Sequence, residues 1–140
     1  MALQYYPGPW RIMLCDFGGG FRSPEMTKRR PVIGLSKKRH DGAPLCTVVA
    51  ISTTRPDVVR DFHYLIPEEE LPPFLRIARG EHWVKIDMVN TVSFSRLTLP
   101  HEGRDNRGNR RFITRQIGDA HKAEISGRLQ TRLALTKLDV

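Results

Sequence analysis

The sequence predicts a mainly β (α+β) domain, a small twisted β-barrel of the SH3-like kind with one C-terminal helix. Three observations carry this. Five short runs alternate apolar and polar residues with the period of a strand, and turn residues separate them. Only the last segment has apolar residues recurring at helical spacing. The chain has 140 residues, which suits one core rather than two. A single domain is therefore expected over 1–140, with the barrel at about 7–117 and the helix at about 119–138.

The elements follow in order. Trp10 to Phe17 alternates, with Trp10, Ile12 and Leu14 on one face and Arg11, Met13 and Cys15 on the other, a first strand. Gly18-Gly19-Gly20 comes next. Neither a Gly-Lys-Ser/Thr triplet nor a helical pattern follows it, so it reads as a hairpin loop, open to a lid role, rather than a phosphate-cradling P-loop. Pro31 to Ser36 is a second strand, opened by a proline, which is tolerated only at a strand start or edge. Lys37 to Gly42 is a basic turn ending in the hairpin signal Asp-Gly. Leu45 to Thr53 is the third strand, and its small residues Ala50 and Ser52 leave room on one face. Val58 to Ile66 reads as a fourth strand. Glu68 to Gly80 is an irregular excursion with a short helical turn around Leu71 to Ala78. His82 to Val92 is the fifth strand. His101 to Arg111 is polar and basic, a surface loop, and Phe112 to Ile117 a short extended piece. Gly118-Asp119 offers an N-cap for a helix over Ala120 to Leu138, striped by Ile125, Leu129 and Leu133.

Composition narrows the function. Lys and Arg number 23 against 15 Asp and Glu, a net charge of +8 and a pI near 10.1. That excess points to a polyanionic partner, nucleic acid before membrane. Cys15 and Cys46 make neither a disulfide framework nor a metal site, and each sits in an apolar run as a buried, reduced thiol. The start M-A-L-Q-Y-Y-P-G-P-W-R lacks the apolar core of a signal peptide. No stretch reaches the ~20 apolar residues of a membrane span, so a cytosolic protein is expected.

The five histidines, at 40, 63, 82, 101 and 121, stand at no ligand spacing and read as ordinary surface residues. No G-x-S-x-G elbow supports a serine hydrolase. A phosphate site of Arg, Lys, Ser/Thr and carboxylate needing no cofactor remains. Pro31 biases Arg30 towards an extended backbone, which fixes where its guanidinium leaves the sheet. The third strand ends in three adjacent hydroxyls, Ser52, Thr53 and Thr54. In the fifth strand Lys85 and Asp87 project to one face about 6.6 Å apart, suited to a phosphate and a neighbouring hydroxyl, or to a plain ion pair. Trp83 on that face either stacks a base or belongs to the core.

Three blocks, P-E-M-T-K-R-R-P-V-I-G-L-S, L-C-T-V-V-A-I-S-T-T and W-V-K-I-D-M-V-N-T-V-S-F-S-R-L, together resemble the PemK/MazF toxins of toxin–antitoxin systems. The match runs in the same order from about Pro7 to Leu97. The resemblance implies a CcdB/PemK-type barrel, a homodimer, and a metal-free ribonuclease. Such an enzyme cuts single-stranded RNA at short preferred sequences, leaving 2′,3′-cyclic phosphate and 5′-hydroxyl ends. On the matching positions it assigns catalysis to Arg30, Glu25, Ser52, Asp87 and Lys85. Serine stands at 52 where threonine is common in relatives, and lysine at 85 where one well-known branch has arginine. Hydroxyl and charge are kept, but lysine gives up the planar two-point fork.

The chemistry distributes roles. In-line attack needs a base, donors for the extra phosphate charge and an acid. Arg30 suits the second task, because arginine releases a proton too reluctantly for general-acid work. Asp87 or Glu25 is the base candidate, Ser52 a donor to a non-bridging oxygen, and Lys85 the partner of the leaving oxygen. Lys28, Arg29, Lys37 and Lys38, with Thr53, Thr54 and Trp83, are expected to hold the RNA strand, and Arg22 and Arg39 to flank the groove. The second basic cluster, Arg104 to Arg115, lies outside the matched blocks. A CcdB-like gyrase poison and a catalytically idle RNA-binding barrel are the alternatives. A polyproline-binding module is disfavoured for want of an aromatic groove. A toxin implies a cognate antitoxin, whose acidic segment would lie along the basic groove.

Overall fold

The computed structural model describes residues 2–73, 75 and 80–135. Among the described residues these elements form: β1 (Ile12–Asp16), β2 (Arg29–Gly34), β3 (Leu45–Ser52), β4 (His63–Leu65), β5 (Trp83–Ser93), β6 (Leu97–Thr98), β7 (His101–Arg104), β8 (Arg110–Phe112) and α1 (Asp119–Arg132). Single 3-10 turns lie at Glu68–Glu70 and Phe94–Arg96. The mainly β fold with one C-terminal helix is thus as the sequence predicts. The six main strands form one antiparallel sheet in the order β4-β5-β3-β2-β1-β6, and β7 and β8 pair separately. Closure is not as expected. Among the described residues β4 and β6 remain edges of an open sheet rather than pairing into a barrel.

Apolar residues on both faces of the sheet explain its stability. Ile12, Ile33, Val49, Ile51, Val84 and Ile86 build one buried cluster, against which Ile117 and Ile125 of the C-terminal segment pack. Met13, Cys15, Phe17, Val32, Val48 and Val92 build the other, covered by Leu3, Tyr6 and Leu97. Such two-sided burial produces continuous apolar runs in β3 instead of clean alternation. Gly34 is required by close approach, since a β-carbon there would stand 2.8 Å from the Tyr6 hydroxyl and 3.0 Å from Met13 Cε.

Several boundaries move for local reasons. Trp10 has φ 67°, outside extended geometry, so β1 begins after it. The expected loop at 101–111 is a hairpin. The Asp105 carboxylate accepts the Arg107 and Asn109 N–H groups at 2.9 Å each, and the Ile113 N–H holds its root to the Pro100 carbonyl at 2.8 Å. The helix stops at Arg132, and Leu133 lies 52% exposed beyond it, so the apolar stripe shortens to Ile125 and Leu129. The helix start is held from outside, with Glu70 Oε2 accepting the Gly118 N–H at 3.0 Å. Most of the helical turn expected at Leu71 to Ala78, and the chain beyond Leu135, lie outside the described residues.

Candidate functional site at one end of the sheet

Register brings the chemistry-bearing residues together. Ala50 of β3 pairs with Lys85 of β5, and Lys85 pairs with His63 of β4. One row along, Ser52 pairs with Trp83, and Trp83 with Leu65. On the other side Val32 of β2 pairs with Ala50, and Arg30 stands two residues before Val32, as Ser52 stands two after Ala50. Partners in an antiparallel ladder share a face, and strands lie about 4.8 Å apart. Arg30, Ser52, Trp83, Lys85 and His63 therefore occupy two adjacent rows on one face, at the end of the second core. Asp87 follows Lys85 by two residues and is exposed. It lies where β5 shifts register against β3 between Val49 and Ala50.

The polar groups of these rows are underused. Arg30 Nε and Trp83 Nε1 are fully buried without a hydrogen-bond partner. Such orphans are uncommon in folded proteins and call for an explanation. Between them Ser52, 9% exposed, accepts the Thr54 N–H on its hydroxyl oxygen at 3.1 Å. Lys85 and Asp87 do not form the ion pair that their spacing also allowed. Among the described residues neither makes a side-chain hydrogen bond or salt bridge. Trp83 is 5% exposed, so its ring packs as core with no face open for stacking, and its indole N–H is buried with it.

His63 carried no sequence signal, because its proximity to Lys85 arises only from strand pairing. It is 7% exposed rather than a surface residue. Its Nδ1 accepts the Arg60 N–H at 3.0 Å, which leaves the proton of the neutral ring on Nε2. Burial first, then the Lys85 charge, holds this imidazole below its ordinary pKa; the Asp87 carboxylate acts in the opposite sense.

The remaining expected residues fall in three places. Thr53 and Thr54 are exposed just past Ser52. Glu25 and Lys28 lie exposed on the loop from Gly18 to Lys28. That loop is tied down: Arg96 donates to the carbonyls of Asp16, Gly18 and Gly19 at 2.7–2.9 Å and lies 5.0 Å from the Phe21 ring. Lys37 and Lys38 are exposed in the turn after β2, three and four residues past its last residue, Gly34. Arg39 there is bound to Asp41 at 2.6 Å, which holds the Asp41 carboxyl near a pKa of about 2. Arg29 points to the opposite face from Arg30 and donates to Thr98 Oγ1 at 3.2 Å. Among the described residues no three His, Cys, Asp or Glu side chains gather as a metal-holding group, and no helix is long and apolar enough to cross a membrane.

Solved structures similar to this chain include MazF proteins and endoribonucleases. MazF from Deinococcus radiodurans superposes with a TM-score of 0.65 at 16% identity, covering 94% of this chain and 100% of that one. MazE–MazF from the same organism gives 0.60 at 18%, covering 95% and 100%. An endoribonuclease from a mycobacterial species, in complex with its cognate antitoxin, gives 0.60 at 17%, also covering 95% and 100%. At these identities the likeness establishes the MazF-type fold. A direct comparison with curated protein sequences gave no match. The family profile described as PemK-like, MazF-like toxin of type II toxin–antitoxin system matches residues 9–130. The chain belongs to that family.

Proposed function

We propose that this protein is a metal-independent, sequence-selective endoribonuclease toxin, active on single-stranded RNA as a homodimer and neutralised by a cognate antitoxin. The observation that carries the reading is the register that brings Arg30, Ser52 and Lys85 into two adjacent rows on one face, with Asp87 exposed and unpaired beside them. A guanidinium, a hydroxyl and an ammonium are donors that a phosphodiester accepts from, and an exposed carboxylate can take a proton.

The chemistry is a transesterification. The Asp87 carboxylate takes the proton of the ribose 2′-hydroxyl, whose oxygen bonds to the adjacent phosphorus. The phosphorus–O5′ bond breaks, and the departing oxygen takes a proton from the Lys85 ammonium. The products are a 2′,3′-cyclic phosphate and a 5′-hydroxyl. Arg30 and Ser52 meet the charge gathering on the non-bridging oxygens. His63, opposite Lys85 on β4 and neutral, adds no like charge beside it. Lys28, Thr53 and Thr54 contact the flanking strand, and Glu25, on its loop, is a second carboxylate within reach once RNA draws the loop in. The fold and family of this chain, together with mycobacterial and Deinococcus relatives solved with antitoxins, support this reading.

The test is to incubate pure protein with RNA in EDTA and to sequence and end-label the fragments. Cuts at a recurring short sequence with 5′-hydroxyl ends are expected. Intact RNA, with binding retained, would favour the idle RNA-binding barrel; intact RNA with gyrase inhibition would favour the CcdB-like poison.

A further inference from the structure

A second basic hollow lies on the other face of β2, away from the two rows. Its volume is about 280 Å³, and Arg29, Thr98, Leu99, His101, Arg110 and Phe112 line it. Arg29 is held at one side by Thr98. Arg110 and Phe112 come from the β7–β8 hairpin, where Phe112 pairs with His101 and meets its ring edge-on at 6.4 Å. Phe112 is nevertheless 53% exposed, an aromatic ring presented to solvent in a hollow that Arg29 and Arg110 also line. The hairpin is built rather than loose, as the Asp105 turn and the Ile113–Pro100 bond show. Residues 101–111 carry four arginines against two carboxylates, so the wall is net positive.

We propose that this hollow binds one nucleotide of the RNA strand outside the scissile step, its phosphate between Arg29 and Arg110 and its base on the Phe112 ring. The proposal rests on the nuclease reading and extends it. The geometric link is the β2 start: Arg29 and Arg30 are consecutive, about 3.8 Å apart at Cα, and project to opposite faces. A strand whose scissile phosphate meets Arg30 reaches Arg29 by passing round that end. Two planar guanidinium forks suit a phosphate, and an exposed ring suits any base, so this contact adds affinity with little sequence preference.

The test compares two RNAs sharing the cleaved sequence, one just spanning it and one extended on both sides. The wild-type protein, Arg110→Gln and Phe112→Ala are each assayed for cleavage, and for binding of the extended RNA by fluorescence anisotropy, with oligomeric mass measured alongside. The extended RNA is expected to have the lower KM. Either variant should collapse that difference and weaken binding about tenfold, with unchanged mass. Equal KM values for the two RNAs in the wild type, or an undiminished difference in both variants, would overturn the proposal. So would variants whose only change is a loss of dimer mass, which would make the hollow an interface between copies. Variants that lose only binding of an acidic antitoxin segment would make it a protein site. If wild-type protein binds RNA in a Phe112-dependent way but cuts none, the hollow stands and the nuclease reading falls.

Discussion

His63 lies directly opposite Lys85 across the β4–β5 ladder, with its imidazole buried and its Nδ1 already engaged by a backbone N–H. The Lys85 charge and burial both favour the neutral ring, while Asp87 favours the charged one. NMR titration of the His63 ring therefore reads the arrangement without any assay of activity. Lys85→Ala should raise its pKa and Asp87→Asn should lower it further. A pKa that ignores both changes would place these groups apart.

The same residue makes stability depend on pH with a definite sign. The folded pKa lies below the ordinary 6.5, so the unfolded chain binds the His63 proton first as pH falls. Stability contributed by the neutral ring is complete above about 6.5 and declines between there and the folded pKa. Urea midpoints at pH 7.5 and 5.5 should fall more steeply for wild type than for His63→Gln. An equal decline in the two proteins would mean that the ring is charged in the fold.

Arg96 holds the glycine loop through three carbonyls and the Phe21 ring. Arg96→Ala is expected to cost about 1–3 kcal/mol and to open residues 18–28 to limited proteolysis. Unchanged protection of that loop would show that Phe21 and Met26, which pack on the second core, suffice to hold it.

Both thiols are sealed in that core. Burial pushes the Cys15 thiol up to about 12 and raises that of Cys46 as well. Little thiolate forms at pH 8, so a disulfide reagent should label neither residue in the native protein and both in urea. Rapid native labelling would contradict the packing around β1 and β3.

Local patterns carried the sheet and left its closure and its pairings open. β3 and β5 were legible because long β-branched runs admit no helical period, and the Arg30–Pro31 step was legible because proline restricts its neighbour. The hairpin at 101–112 was hidden by its charge, since strands exposed on both faces show no apolar alternation. Open edges at β4 and β6 depend on contacts between distant segments that no window of sequence contains. His63 was missed for the same reason: its partner Lys85 is a cross-strand neighbour.

The most direct measurement is RNA cleavage by Arg30→Ala beside wild type, with circular dichroism and thermal unfolding as fold controls. In the proposed reaction Arg30 meets phosphate charge in the transition state, and loss of such a donor typically costs about 10²–10³ in rate. The account predicts a loss of at least that size in a protein that stays folded. A folded Arg30→Ala variant that cuts RNA at the wild-type rate would contradict it.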